Sequence, residues 1–132
     1  MGAETDLKTL LENLTPVASK EDYVFVTLPQ ASVSGELVAV AKGVFKEREG
    51  TTLIMPVVEA ARFALPFEGR YRCITCEVHS SLDAVGMTAA MSRALGDAGI
   101  SANVVAAYYH DHIFVPANKV DLAIAVLQAL GD

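Results

Sequence analysis

The chain has 132 residues and a formal net charge of −6, with ten lysine and arginine residues against 16 aspartate and glutamate residues. This length suits one ordinary domain or two very small ones that share a core. Because the acidic balance repels a phosphate backbone and no basic cluster offsets it, we predict no nucleic-acid partner. Hydrophobic residues make up 52% of the sequence. A small domain cannot bury all of that apolar area, which favours a homodimer.

No stretch of the sequence is built like a membrane span or a secretion signal. The apolar runs are all shorter than the roughly 18 residues that a spanning helix needs, so we predict no membrane partner. The segment Met1–Glu12 contains acidic residues and no apolar signal core. We therefore expect a cytoplasmic protein.

The first half of the chain predicts a helix, a strand, a loop, a hairpin and a second helix. The elements are a helix over 7–14, a strand over 23–28, a loop over 30–35, hairpin strands over 37–46 and 51–55, and a helix over 56–64. Asp6 is the expected N-cap of the first helix, whose leucines recur at helical spacing. Gly50 is expected to take the left-handed position of the hairpin turn.

The second half gives clearer signals for a strand, a helix, a hairpin and a last helix. The elements are a strand over 71–79, a helix ending at 98, a strand over 100–109, a turn at 110–111, a strand over 112–115 and a helix from 118. Ser81 is the expected N-cap of the first of these helices and Gly99 its stop, while Asn118 is expected to cap the last helix.

The order from Tyr71 onward is therefore βαββα, one strand short of a ferredoxin-like βαββαβ unit. The first half has a similar order, with a degenerate helix between its first two strands. Two imperfect copies, each short of an element, predict that the halves share or exchange strands in one continuous fold.

Several stretches carry a resemblance to a known family. They are YRCITCEVHSSLDAVGMTAA (71–90), GISANVV (99–105) and YYHDHIFVP (108–116), with LLENL (10–14), YVF (23–25) and FKEREGTTL (45–53) in the first half. The chain resembles stand-alone bacterial proteins with tandem ACT-like domains, which are similar to the regulatory region of aspartate kinase. The resemblance implies an α+β, ferredoxin-like fold of duplicated ACT-like units, a degenerate one over 1–66 and another over 67–132. It also implies frequent dimerisation through edges or helices and amino acids as the usual ligands of the superfamily, but it does not imply an activity.

In the family that the chain resembles, the ligand lies between a strand-to-helix loop and the second strand, often across a domain interface. In this sequence the loop follows the strand at 71–79, and the second strand is the one that begins at residue 100. The residues carried over are Ser80, Ser81, Leu82, Asp83, Ala84, Val85 and Gly86, with Asn103, Val104 and Val105 opposite. A helix N-terminus has unpaired N–H groups and a positive dipole end, which suit a carboxylate. Asp83 is then expected to pair the ligand's ammonium group. The open alternative is that Ser81 only caps, Gly86 only allows helix packing, and Asn103 is a strand-edge residue.

Two groups of residues contain side chains that can bind metals, but a structural role explains each of them better. His110, Asp111 and His112 offer imidazoles and a carboxylate, but a turn separates them and only His79 could add a ligand, so a polar turn is favoured. Cys73 and Cys76 lie three apart on a predicted strand and so point to opposite faces. We predict no metal and no cofactor.

No catalytic constellation stands out, and we predict that the protein is not an enzyme. There is no nucleophile elbow, P-loop or dinucleotide fingerprint, and Ser80 and Ser81 have no base aimed at them. The sequence predicts a regulatory or sensor protein that binds a small molecule, with an amino acid as the expected ligand. The alternative is a dimerisation or partner-binding scaffold with a vestigial ligand site. A weaker one is a metal-dependent enzyme built on residues 110–112.

Overall fold

Helices alternate with six strands along residues 6–78 and 86–132, which the computed structural model describes. The elements are α1 (Leu7–Glu12), β1 (Thr15–Leu28), α2 (Gly35–Val40), β2 (Gly43–Lys46), β3 (Thr51–Pro56), α3 (Val57–Arg62), β4 (Tyr71–Glu77), α4 (Met87–Asp97), β5 (Asn103–Ala106), β6 (Asp111–Pro116) and α5 (Val120–Ala129). The strand order is β2-β3-β1-β4-β6-β5. None of the helices in the described ranges is both long and apolar enough to span a membrane.

The chain divides into two compact units that do not follow its sequence halves. One, the split unit, consists of Met1–Lys20 and Arg72–Asp132, and the other, the central unit, is Glu21–Tyr71. β1 runs through both, so the prediction of an α+β, ferredoxin-like fold with a shared strand is confirmed. A duplication boundary between residues 66 and 67 stays a prediction about sequence repeats.

The central unit is a three-stranded antiparallel sheet with α2 and α3 against one face. β1 pairs with β3 from Tyr23↔Pro56 to Leu28↔Thr51, and β2 pairs with β3 from Gly43↔Ile54 to Lys46↔Thr51. Because strand side chains alternate between faces, every second residue enters the core. The core side chains are Val24, Val26, Leu37, Leu53, Met55 and Ala60.

Two strand predictions in this region were wrong. Residues 37–40 belong to helix α2 because Ser34 caps it, its hydroxyl accepting a hydrogen bond from the Leu37 N–H at 3.2 Å. Buried Leu37 then holds the helix on the core. β1 begins at Thr15 instead of Tyr23. The sequence did not predict this start because the first residues of β1 have low β propensity, and pairing within the sheet holds them in the strand.

Glycine is required at position 50 by its backbone conformation and by a close contact. Its φ of +158° is positive, a conformation that L side chains rarely adopt, and an added Cβ would lie 2.9 Å from the Leu28 carbonyl oxygen. The hairpin closes through the Glu47 N–H, which donates to the Gly50 carbonyl at 2.9 Å. Close approach of the neighbouring strand, and not turn geometry alone, therefore requires glycine here.

The core of the split unit joins α1 to the second half of the chain. Its buried residues are Leu10, Ile74, Cys76, Met87, Met91, Leu95, Ile100, Ile113, Val115, Val120, Ala123 and Leu127. Asp6 caps α1 as predicted, its carboxylate accepting from the Thr9 N–H at 3.1 Å. Gly99, at φ +76°, ends α4 as predicted.

Three boundaries in the split unit differ from prediction. β5 covers only 103–106, because the chain turns at 107–110, where the Ala107 N–H donates to the His110 carbonyl at 3.1 Å. Asp111 is thus the first residue of β6 instead of a turn residue. Asn118 lies in a 3-10 turn and does not cap α5, whose N-cap position is Lys119.

Candidate functional site

The predicted ligand corner lies between the end of β4 and the start of α4. Most of the residues carried over to it, Ser80, Ser81, Leu82, Asp83, Ala84 and Val85, fall outside the described residues, as does the predicted cap by Ser81. The described chain approaches the corner at Val78 and leaves it at Gly86. The described part of the site therefore consists of these two ends and the strands beside them.

Gly86 occupies the N-cap position of α4 and does not lie inside the helix as the sequence suggested. Its φ is +95°, in the left-handed region, and within residues 6–78 and 86–132 no side chain caps the helix there. An added Cβ would lie 3.1 Å from Cδ2 of Leu7, on α1. The neighbour that approaches Gly86 is therefore a packing side chain, while the first N–H groups of α4 receive no cap from a side chain in the described part of the chain.

The end of β4 that leads into the corner lies beside the start of β6. Thr75 Oγ1 and His112 Nδ1 are hydrogen-bonded at 3.0 Å. His112 is paired in turn with Val105 on β5, and Asp111 with Ala106. The end of β4 therefore lies beside the first residues of β6, which pair with the last residues of β5.

Asn103 lies at the other end of β5. It is paired with Phe114, and its side-chain amide donates to the Phe114 carbonyl at 3.4 Å. Ala106 lies three residue steps further along the strand, a distance of about 10 Å. Val104 packs partly buried on the core of the split unit, and Val105 is 43% exposed. Among the three β5 residues predicted to face the ligand, Val105 is the nearest to the end of β5 that pairs with the start of β6.

Asp111 is a partly buried carboxyl group at the corner end of β6. Alternation along β6 places it on the same face as Ile113 and Val115, which belong to the core. Burial raises the pKa of Asp111, and the neighbouring His112 and His110 only partly oppose that rise. The cause is desolvation of the charged form.

The three residues weighed as metal ligands do not converge. His112 bonds to Thr75, whereas Nδ1 of His110 is buried and has no hydrogen-bond partner among the residues that the structure describes. Across residues 6–78 and 86–132, no three His, Cys, Asp or Glu side chains are grouped so that they could hold a metal ion. Sequence reasoning treated Asp111 only as a turn residue or metal ligand. Its burial depends on the position of the 107–110 turn, which the sequence did not reveal.

The two cysteines are free thiols on a buried strand. Cys76 belongs to the core of the split unit, and burial, then the charge of Asp111, then Cys73 raise its pKa to about 12. We expect both thiols to react with a thiol reagent such as DTNB at least about a hundredfold more slowly in the folded protein than in urea, because both are buried and the raised pKa of Cys76 lowers its thiolate fraction. Rapid labelling of the native protein would contradict this burial.

The fold defines the class of protein to which the chain belongs: duplicated α+β units of ferredoxin-like type. The ACT-domain family model matches residues 2–72, and a second ACT-domain model matches residues 68–129. The chain belongs to the ACT-domain family, whose members are typically small-molecule-binding regulatory domains. No curated protein matches the sequence.

Solved structures with similar folds include one with substantial sequence identity. A Vibrio cholerae protein of unknown function, described as a possible transport protein, is 37% identical over 96% of both chains, with a TM-score of 0.84. An Agrobacterium tumefaciens protein is 18% identical over 89% of both chains, with a TM-score of 0.71. The regulatory subunit of aspartate kinase from Thermus flavus has 8% identity and a TM-score of 0.68, over 90% of this chain and 99% of that one. The last two are similar in fold alone.

Proposed function

We propose that the protein is a non-catalytic regulator or sensor that binds a small amino acid at the corner between β4 and α4. The observation that carries the proposal is the start of α4, an 11-residue helix whose N-cap position is Gly86 and which no side chain of the described residues caps. Its unpaired N–H groups and positive dipole end suit a carboxylate. Membership of the ACT family and the likeness to an aspartate kinase regulatory subunit support a regulatory role over a catalytic one.

The proposed ligand residues are those of the corner, Ser80 to Gly86, with Asn103, Val104 and Val105 on β5. Because Asn103 lies about 10 Å along β5 from the corner end, we propose that it serves a ligand bound to a second copy of the chain. Val105 then serves the ligand of its own chain. This arrangement requires the homodimer that the apolar composition favours. We place the protein in the cytoplasm.

A thermal-shift screen of the twenty amino acids tests the proposal. We expect at least one of them, at millimolar concentration, to stabilise the folded protein, by about 2.7 kcal/mol when it is present at a hundredfold excess over Kd. Asp83→Ala should reduce this stabilisation. Asp97→Asn is the control, because Asp97 is exposed and makes only a 4.0 Å surface ion pair with Arg93. Failure of all twenty amino acids to stabilise the protein would sink the proposal.

The scaffold alternative is favoured by exposed aromatic side chains near the ends of the strand order. Phe45 on β2 is 72% exposed, and Tyr108 and Tyr109 in the β5–β6 turn are 75% and 69% exposed. The amino-acid thermal shift of the wild type and of Asn103→Ala separates the two functions, with light scattering to verify that both variants keep the same assembly. A scaffold keeps its assembly and responds to no amino acid, whereas the proposed sensor keeps its assembly and loses part of its ligand response.

A further inference from the structure

β5 is the last strand in the strand order, and in the described part of the chain it pairs only with β6. The Ala107 N–H donates toward β6, to the His110 carbonyl at 3.1 Å. Because the backbone groups of successive residues alternate between the two edges of an antiparallel strand, those of Val104 and Ala106 point away from β6. The outer edge of β5 therefore offers N–H donors and carbonyl acceptors to a further strand.

The sequence of β5 and its flanks contains nothing that opposes such pairing. Residues 98–110 include no Asp, Glu, Lys, Arg or Pro, although exposed edge strands usually carry charges or proline that prevent association. The strand at the opposite end of the order, β2, follows that rule, since Lys42 precedes it and Lys46 ends it. Antiparallel pairing of two β2 edges about Val44 would place lysine opposite lysine, which is destabilising.

Apolar side chains accompany the free backbone groups of β5. Val105 is exposed on the strand, and Tyr108 and Tyr109 are exposed in the turn that follows it. The two tyrosine rings pack edge to face, with their centroids 5.0 Å apart. Aromatic side chains of this kind contribute strongly to protein interfaces because they bury a large area at a low entropic cost. The edge therefore fits a strand that is itself apolar and uncharged.

The charge of the chain indicates which strand this is. Each copy has a formal net charge of −6, so two copies repel each other unless they meet where charges are absent. The edge of β5 is such a place, and it is self-complementary, because a two-fold axis brings the same donors, acceptors and apolar side chains from both copies. An acidic or basic partner would gain nothing from an uncharged edge.

We infer that β5 pairs antiparallel with β5 of a second copy about a two-fold axis at Val105. In this register the outward groups of Val104 in each copy bond to those of Ala106 in the other, and the two Val105 side chains meet. Tyr108 and Tyr109 then lie beside the residues that precede β5 in the second copy. The inference goes beyond the proposed function, because this interface forms with or without an amino acid.

Hydrogen exchange of the wild type tests the pairing without any substitution. The amides of Val104 and Ala106 face away from β6, so they should exchange quickly in dilute protein and more slowly as the concentration rises and the dimer forms. The amide of Val105 faces β6 and should be protected at every concentration, which makes it the internal control. Rapid exchange at Val104 and Ala106 in a protein that has assembled would overturn the inference.

Charge substitutions at Val105 test the two-fold axis. We expect Val105→Lys and Val105→Glu each to weaken the dimer by at least about a hundredfold, because each places two like charges side by side in the interface. An equal mixture of the two variants should assemble, since lysine then meets glutamate. Sedimentation equilibrium measures assembly, and circular dichroism verifies that each variant is folded.

Phe45→Lys on β2 is the matched control and should assemble as the wild type does, because Phe45 is an exposed residue of the other edge strand. A monomeric wild type, a folded Val105→Lys that still assembles, a mixture that stays monomeric, or a Phe45→Lys that dissociates would each count against the β5 interface. All of these measurements are made without amino acids. A chain that assembles as expected but that no amino acid stabilises keeps this inference and loses the proposed function.

Discussion

Leu10→Ala should lower the free energy of unfolding by about 2–5 kcal/mol, a large part of the stability of a small protein. Leu10 is completely buried, and its core neighbours come from the second half of the chain, among them Ile74, Met91 and Leu127. Truncation leaves a cavity among side chains that are far from residue 10 in sequence. Urea unfolding followed by circular dichroism measures the loss.

The elements that Leu10→Ala destabilises show whether α1 packs with the second half of the chain, as in the split unit, or only with the first half. We expect hydrogen exchange to accelerate at amides of β6 and α5 in Leu10→Ala, since both elements pack on the same core. Leu122→Ala on α5 is the control. Its side chain is 48% exposed, and its truncation should cost less than about 1 kcal/mol. Similar losses for the two variants would show that α1 does not complete this core.

The sequence predicted the fold where local signals and tertiary packing agree. The leucine spacing of α1, its Asp6 cap and the Gly99 stop all act within one turn of helix, and each is found where it was expected. The start of β1 was missed because Thr15–Lys20 has poor β propensity and is held by pairing between segments distant in sequence. The Ser19 hydroxyl, for example, accepts from the Cys73 N–H at 3.0 Å.

The candidate site was predicted less well, and for a related reason. Resemblance placed Asn103 opposite the corner, but strand register decides which end of β5 adjoins it, and that register depends on the 107–110 turn. The same turn moves Asp111 into β6 and onto the core-facing side. A charged residue next to a turn is usually solvated, so its sequence context gave no sign of burial.

Gly86→Ala should destabilise the protein by about 1–3 kcal/mol for two separable reasons. The residue has φ +95°, which costs any L side chain backbone strain. The new Cβ would also press on Cδ2 of Leu7 at 3.1 Å. Leu7→Ala removes the second cause and leaves the first. Denaturation of the two single variants and the double variant therefore gives the steric part as their coupling energy.

Gly96→Ala is the matched control within the same helix. Gly96 has nothing within 4 Å of an added Cβ, so alanine should stabilise α4 by about 0.5–1 kcal/mol through its better helix propensity. Opposite signs at positions 86 and 96 are the expected result, and a gain at both would mean that α4 does not start from a left-handed residue. Because Gly86→Ala disturbs the junction of α1 and α4 on its own, a weaker ligand response in that variant is not proof of ligand contact.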